Sequence, residues 1–310
     1  MANNFSGDDS CKALWRFESG ALTVDSKGSN TLTAVNGPTG NTSDYREGAC
    51  ASQHSRSSKQ YYKITDAALP SDFPFKSGGT ARKGTYCGWF KFASTTGNQG
   101  LIGKLQCSGS CGVYQYNGTF YLDWNSGYQS TGIAATSGVW YHVACRMDLD
   151  NLFSNVRIYR ASDGQVFTYA KTTWGSFNPG AYDFRIGTFN DDTNAFDGLA
   201  DEVVIFNRLL SDIEIDGIRS GIFPPPGAMF VDAGGLQAVY GLGGFLQTDA
   251  AGLKVVYSLN EEVVAVVKVD AGGIAVAYHA ELPPRRIFPV PNPKVRWQSH
   301  PRLRTFPVVN

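Results

Sequence analysis

The chain has 310 residues, a formal net charge of zero at pH 7 and 42% hydrophobic residues. This length allows one large or two medium domains with a buried core, and the balanced charge gives no overall field that would attract nucleic acid. No apolar run reaches the roughly 18 residues that a bilayer-spanning helix needs. We therefore expect neither a nucleic-acid partner nor membrane insertion.

The start of the chain, residues 1–9, is polar and is predicted to be a short flexible lead. It lacks a basic stretch followed by an apolar core, so the sequence predicts synthesis in a cytoplasm without a signal peptide. Six cysteines are too scattered for a disulfide scaffold, and we expect reduced, buried thiols. As an alternative, Cys107 and Cys111 flank Ser-Gly-Ser and could close a small loop.

From about residue 13 to residue 206, short apolar or alternating runs are separated by Gly, Ser, Asn and Asp, a pattern that predicts β-strands. Asn117-Gly118, between two such runs, is the strongest short hairpin signal. Many short strands with frequent turns favour an all-β fold, a two-sheet antiparallel jelly-roll sandwich. The clearest predicted strands are 60–65, 85–92, 112–116, 119–124, 139–147, 154–160 and 182–187.

The segment 196–215 predicts a strand that runs into a short helix. Residues 199–206 are rich in Val, Ile and Phe, which suit a half-buried pleated surface. Ser211 precedes Glu214 by three residues, the spacing of a capping box at a helix start. Gly221 lies where the helix is expected to end.

Three features of this region resemble the closing signature of laminin-G-like jelly rolls, in the concanavalin A-like lectin/glucanase superfamily. They are a Gly-x-x-Asp-Glu-Val strand from Gly198, an Asn-Arg-x-Leu-Ser turn from Asn207, and the Glu214-Ile215 pair. Three earlier segments match in the same order. They are residues 13–17, which match the family's opening strand, with the loop 25–30; residues 140–144; and residues 156–159 with the turn 162–164. The resemblance covers residues 10–222 and implies a jelly roll over that range.

The pattern changes at residues 224–227, Pro-Pro-Pro-Gly, which predict a domain boundary. Residues 223–282 then carry a threefold repeat of a turn followed by a strand that ends in Tyr. Units this short cannot bury a face alone, so they must pack on each other or on another chain. The three copies are 231–240, 248–257 and 269–278.

The last segment, residues 283–310, holds six basic residues, no acidic residue and seven of the 14 prolines, a composition that predicts an extended arm. A disordered tail is the alternative, but the arm is more apolar than a solvated linker. The repeats and arm are similar to termini of phage virion structural proteins. That resemblance implies homo-oligomers and other virion proteins as partners, held through Arg286, Phe288, Trp297, Arg304 and Phe306.

The superfamily includes β-glucanases, whose retaining members carry a Glu-x-Asp-x-(x)-Glu strand motif with a nucleophile and an acid on one face. The nearest match, Glu214-Ile215-Asp216, lacks the second Glu and falls on the predicted helix. The capping role of Glu214 explains it better, and a lone His142 on a strand is more often structural than catalytic. We therefore expect a protein that is not an enzyme.

The resemblance also implies a calcium site, since the opening loop and the Asp-Glu-Val strand come together in related jelly rolls. The matching residues are Asp25, Asn30 and Asp201, whose oxygens are of the kind that calcium prefers. Alternatively, Asp25 and Asn30 form a turn and Asp201 accepts backbone hydrogen bonds.

Aromatic residues cluster near one predicted hairpin and could stack on sugar rings, although core packing of Trp124 is an equal alternative. We interpret the chain as a non-enzymatic structural, decoration or adhesion protein of a virion or extracellular assembly, with its jelly roll turned outward toward surface glycans. The alternative is a free carbohydrate-binding lectin, and a glucanase comes third. The aromatic cluster comprises Tyr114, Tyr116, Tyr121, Trp124 and Tyr128.

Overall fold

The computed structural model divides into two units, residues 1–223 and 224–310. It describes the first unit except residues 1, 2, 4, 6, 106, 126, 190 and 191, and it describes the second through the backbone of seven strands. In this described part, no helix is both long and apolar enough to cross a membrane.

The first unit is nearly all β, as the sequence predicts. Its strands are, in chain order, β1 (Cys11–Trp15), β2 (Thr33–Val35), β3 (Thr39–Asn41), β4 (Ala51–His54), β5 (Tyr61–Ile64), β6 (Lys83–Phe92), β7 (Asn98–Lys104), β8 (Cys111–Tyr116), β9 (Thr119–Trp124), β10 (Gly127–Ala134), β11 (Trp140–Asp148), β12 (Phe153–Arg160), β13 (Val166–Lys171), β14 (Phe184–Ile186) and β15 (Gly198–Phe206). A 3-10 turn covers Asp66–Ala68, and the helix α1 covers Asp212–Arg219.

Two antiparallel sheets form a sandwich. The first sheet has the order β13-β12-β11-β6-β15-β4-β3, with β1 also paired to β15. The second has the order β10-β9-β8-β7-β14-β5-β2. The predicted antiparallel jelly-roll sandwich is confirmed, and each sheet has an inner face toward the core and an outer face away from it.

Alternation along the strands builds the core between the sheets. In β6, Tyr86 and Phe90 belong to the central buried cluster, whereas Cys87 and Trp89 lie on the outer face. The second sheet supplies Phe120 and other inward residues to the same cluster. Buried aromatic rings of this size dominate the energetics of a core.

The helix α1 packs on the outer face of the first sheet, where Ile215 and Ile218 join a buried cluster with Cys87, Ala144 and Val204. The predicted capping box at its start is confirmed. The Glu214 backbone N–H donates to Ser211 Oγ at 3.3 Å, and the Ser211 backbone N–H donates to Glu214 Oε2 at 2.7 Å. After the C-cap Ser220, Gly221 adopts a φ of 68°, the left-handed conformation that ends many helices.

The opening strand ends two residues earlier than the sequence predicts. Phe17 adopts a φ of 56°, which cannot continue a strand, so β1 stops at Trp15. The predicted Asn117-Gly118 hairpin joins β8 to β9 with φ values of 44° and 78° at the two residues. Positive φ at both turn positions is what a type I′ hairpin turn requires.

Five cysteines are buried thiols that form no disulfide in the described structure: Cys11, Cys50, Cys87, Cys111 and Cys145. Burial raises the pKa of Cys11 and of Cys145 to about 12, so these thiols stay protonated and unreactive near neutral pH.

The second unit contains β16 (Ala228–Asp232), β17 (Gly235–Tyr240), β18 (Phe245–Asp249), β19 (Gly252–Leu259), β20 (Glu262–Asp270), β21 (Gly273–Tyr278) and β22 (Arg304–Thr305). Its strands pair as β16-β17 and as β18-β19-β20-β21-β22. In each copy of the repeat an Asp pairs with a Gly across two antiparallel strands, namely Asp232 with Gly235, Asp249 with Gly252 and Asp270 with Gly273.

Candidate functional site

Four of the five predicted aromatic residues come together on the outer face of the second sheet. Tyr114 on β8 pairs directly with Tyr121 on β9. Tyr116 lies two residues from Tyr114 on the same face, opposite Thr119. Tyr128 on β10 pairs with the residue two positions beyond Tyr121. We call these four residues, Tyr114, Tyr116, Tyr121 and Tyr128, the tyrosine patch.

Tyr121 is the centre of the tyrosine patch. Its ring stacks on Tyr114 with 5.3 Å between centroids, and the rings of Tyr116 and Tyr128 meet it edge-on at 6.0 and 6.3 Å. Along β9, the partners of Tyr116 and Tyr128 are four residues apart, which separates these two side chains by about 13 Å. The patch is therefore longer than a single sugar ring.

The tyrosines of the patch differ in how much of each residue is exposed to solvent. Tyr128 is 67% exposed and Tyr116 is 43% exposed, whereas Tyr114 is 3% exposed. Phe189 packs edge-on against Tyr114 at 5.1 Å and Leu105 joins the same buried cluster, so the patch stands on a fixed base. Burial also raises the pKa of the Tyr114 hydroxyl, which stays protonated at physiological pH. The arrangement offers two open aromatic rings on a rigid support.

Polar groups border these rings on the same face of the sheet. Register places Ser130 opposite Tyr121, and Thr119 opposite Tyr116. Asp123, opposite Tyr128, is 1% exposed and accepts a hydrogen bond from the Ser110 hydroxyl at 3.0 Å. Hydroxyl groups can both donate to and accept from sugar hydroxyls, so the surroundings suit a polyhydroxylated ligand.

Trp124, the fifth predicted aromatic, lies on the inner face, in the core. It is 2% exposed, and its ring stacks on Trp174 with 5.5 Å between centroids and 10° between planes. Its Nε1 donates to the Gly175 carbonyl at 2.8 Å. Both the ring face and the polar atom are therefore used within the protein, and we remove Trp124 from the candidate ligand residues.

The predicted calcium residues have different hydrogen-bond partners. Asp25 Oδ2 accepts from the Asn30 backbone N–H at 3.0 Å, and Asp25 Oδ1 accepts from the Leu14 and Lys27 backbone N–H groups, each at 2.9 Å. These contacts match the alternative in which Asp25 and Asn30 organise a turn.

Asp201, in contrast, accepts from the backbone N–H of Arg46 at 2.7 Å and of Glu47 at 3.1 Å. Among the residues that the structure describes, no three His, Cys, Asp or Glu side chains are grouped as metal ligands. The contacts of Asp25, Asn30 and Asp201 therefore do not assemble one donor set, and calcium binding stays a prediction.

The most enzyme-like residues have structural roles. Glu214 is 1% exposed, completes the capping box and forms an ion pair with Arg208 Nη2 at 2.5 Å. His142 is 1% exposed, and burial lowers its pKa to about 3, so it is neutral at physiological pH. Neither side chain presents a free carboxylate or base to a substrate.

The predicted assembly residues lie almost wholly outside the described part of the chain. Arg286, Phe288, Trp297 and Phe306 are not described, and Arg304 is described only through the backbone of β22, where it pairs with Tyr278. Their role in attachment to partners stays a prediction.

Sequence reasoning missed two supports of the tyrosine patch, Phe189 and Asp123. Phe189 follows β14 in a loop and carries no periodic signal, so only the folded chain brings it onto Tyr114. The sequence could have predicted Asp123 on the face of the tyrosine patch, since it lies two residues from Tyr121 on the same strand and thus on the same face. The same alternation puts Trp124 on the opposite face from Tyr121.

No curated protein matches this chain. Among solved structures, domain 4 of an extracellular arabinanase from Geobacillus stearothermophilus, in complex with arabinotriose, is similar at a TM-score of 0.48 and 17% identity, over 69% of this chain and 98% of that domain. The binding domain of botulinum neurotoxin serotype D has a TM-score of 0.49 and 13% identity, over 88% of this chain and 73% of that domain.

Trypanosoma rangeli sialidase is similar over 68% of this chain but only 32% of its own length, at 13% identity and a TM-score of 0.47. At these identities the likenesses concern the fold alone. The family profile described as the concanavalin A-like lectin/glucanases superfamily matches residues 56–216, more than half of the sequence. The chain belongs to the concanavalin A-like lectin/glucanases superfamily.

Proposed function

We propose that the first unit binds carbohydrate through the tyrosine patch. The observation that carries this proposal is the placement of two exposed rings, Tyr116 and Tyr128, on either side of the half-buried Tyr121. Sugar rings present C–H faces that stack on aromatic rings, and their hydroxyls pair with neighbouring polar groups. Membership of a superfamily that contains lectins and glucanases supports the same conclusion.

The length of the tyrosine patch favours an oligosaccharide. A ligand that stacks on both Tyr116 and Tyr128 must span about 13 Å along the sheet. Tyr121 and Ser130 lie between the ends and would contact the middle of such a ligand. Because Tyr114 fixes Tyr121 from the buried side, little side-chain entropy is lost on binding.

A glycan array probed with the labelled full chain tests this proposal. The double variant Tyr116→Ala with Tyr128→Ala is expected to lose the neutral-glycan hits of the unsubstituted protein. Tyr45→Ala is a matched control, because Tyr45 is 42% exposed and belongs to the loop after β3 of the first sheet. No neutral-glycan hits for the unsubstituted protein, or neutral-glycan hits that survive the double variant, would contradict the proposal.

We also propose that this activity is binding without hydrolysis. Glu214, the first residue of the nearest match to a glucanase motif, belongs to the capping box. It accepts a hydrogen bond from Ser211 and forms an ion pair with Arg208. Incubation with a panel of β-glucans and a reducing-end assay tests this. Release of reducing ends that grows with protein concentration would contradict it.

A further inference from the structure

A second candidate site lies on the outer face of the first sheet, across the sandwich from the tyrosine patch. Four residues form one cross-strand row there, since Tyr159 pairs with His142, His142 with Trp89, and Trp89 with Asp201. A cavity of about 650 Å³ adjoins this row, and we call it the arginine pocket. It is lined by Arg46, Glu47, Gly48, Trp89, Tyr159, Arg219, Ser220 and Gly221.

Two arginines are held at this pocket by aromatic rings. The Cζ atom of Arg46 lies 4.2 Å from the centroid of the Trp89 ring, and that of Arg219 lies 4.1 Å from the centroid of Tyr159. Contact with a ring positions a guanidinium without using its N–H donors. The pocket therefore carries two ordered cations that come from distant parts of the chain.

The donors of these arginines are largely unused within the described residues. The Arg46 guanidinium makes no hydrogen bond there, and Arg219 has one ion pair, from Nε to Asp216 Oδ1 at 3.5 Å. A guanidinium offers paired N–H groups whose spacing fits the two oxygens of a carboxylate. The arginine pair thus favours a ligand with an oxyanion.

The same region also has acceptors that lack a donor. Glu47 Oε2 and Asp201 Oδ1 are buried and have no hydrogen-bond partner in the described structure. Asp201 is fully buried beside Trp89, and Glu47 lines the pocket itself. A buried acceptor without a donor is costly. Because Glu47 Oε2 is hidden from solvent, it accepts from the hydroxyl of a ligand when the Glu47 side chain turns toward the pocket that it lines. An anion without a hydroxyl, such as sulfate, has no donor for Glu47.

We infer that the arginine pocket binds an acidic sugar, with its carboxylate on Arg46 and Arg219 and a hydroxyl donated to Glu47. An acidic sugar combines an oxyanion with several hydroxyl donors and thus satisfies both sets of groups. The site is separate from the tyrosine patch, so this inference stands whether or not the patch binds glycans.

The test compares two matched ligands on the full chain by saturation-transfer NMR titration. Methyl glucuronide and methyl glucoside differ only at the sixth carbon, which is a carboxylate in the glucuronide and a hydroxymethyl group in the glucoside. We expect the unsubstituted protein to bind the glucuronide at least about tenfold more tightly, and Arg46→Ala and Arg219→Ala each to weaken that binding about tenfold or more. Arg46→Lys should recover only part of it, because an ammonium lacks the paired donors.

Two controls isolate the pocket. Arg82→Ala removes an arginine whose partner, Asp150, is at the surface, and glucuronide binding should not change. The double variant Tyr116→Ala with Tyr128→Ala should also leave it unchanged. Equal binding of the two glycosides, or glucuronide binding that survives both Arg46→Ala and Arg219→Ala, would overturn the inference. Inorganic sulfate that binds as tightly as the glucuronide would overturn the assignment to a sugar. Unchanged melting temperatures confirm that the variants are folded.

Discussion

The ring of Tyr121 stacks on the ring of Tyr114 with 5.3 Å between centroids and 24° between planes. Tyr114 is held in turn by Phe189, so a continuous aromatic contact leads from a buried cluster to the surface. Tyr116 and Tyr128 extend this contact on either side. The second sheet therefore presents rings whose orientation is set before any ligand arrives, which favours binding because less freedom is lost.

Trp124→Ala should lower the free energy of unfolding and should not remove a ligand contact. Trp124 is 2% exposed and packs against Trp174 and Phe177. Truncating a buried tryptophan costs about 3–5 kcal/mol of unfolding free energy. Urea denaturation measures the loss. A stability change below about 1 kcal/mol would contradict the core placement of this ring.

Ser211→Ala should lower the free energy of unfolding by about 1 kcal/mol, because the Glu214 backbone N–H at the start of α1 loses its acceptor. Chemical denaturation measures this loss. The control is Ser162→Ala, which removes a serine hydroxyl at an exposed turn position. Equal stability of the two variants would show that the capping box contributes nothing.

Asp201→Asn should make the free energy of unfolding less dependent on pH between about 4 and about 7. Burial raises the pKa of Asp201 to about 7, above its usual value near 4, so the folded state binds more protons than the unfolded state between these values. The free energy of unfolding of the unsubstituted protein therefore falls, through this group, as pH rises from about 4 to about 7.

The variant cannot titrate at this position and should lack that fall. His54 and His142, whose pKa values burial lowers to about 4 and about 3, act with the opposite sign but are common to both proteins. Urea denaturation of both proteins across this pH range measures the difference in stability. If that difference is the same at every pH, the raised pKa of Asp201 is contradicted.

Asp25→Ala should destabilise the chain by about 1–3 kcal/mol even in EDTA, because three backbone N–H groups lose their acceptor. If the predicted calcium site exists, calcium should also raise the melting temperature of the unsubstituted protein and not that of the variant. Thermal melting with EDTA and with excess calcium separates the two effects. No calcium shift in the unsubstituted protein would remove the calcium prediction.

Local signals were strong enough to predict much of the first unit. The positive φ values at Asn117 and Gly118, and the bonds between Ser211 and Glu214, follow from turn and cap chemistry that acts over a few residues. The end of β1 was predicted less well: Phe17 has a left-handed backbone and its ring packs in the core on Tyr62, a contact between residues far apart in the sequence.

The candidate sites were only partly predictable. Alternation along β8 and β9 places Tyr114, Tyr116 and Tyr121 on one face and Trp124 on the other. The contact of Arg46 with Trp89 joins a loop to a strand far along the chain, and no spacing in the sequence encodes it. Such contacts arise only when the register of the whole sheet is fixed.

Calorimetric titration of the strongest neutral array glycan into three proteins tests the central claim, carbohydrate binding by the tyrosine patch, most directly. Tyr128 is 67% exposed, so its replacement should not disturb folding. We predict that Tyr128→Ala weakens binding about tenfold, because the stacking ring is lost, while Tyr128→Phe stays within about threefold of the unsubstituted protein. The same Kd for all three proteins would contradict the claim.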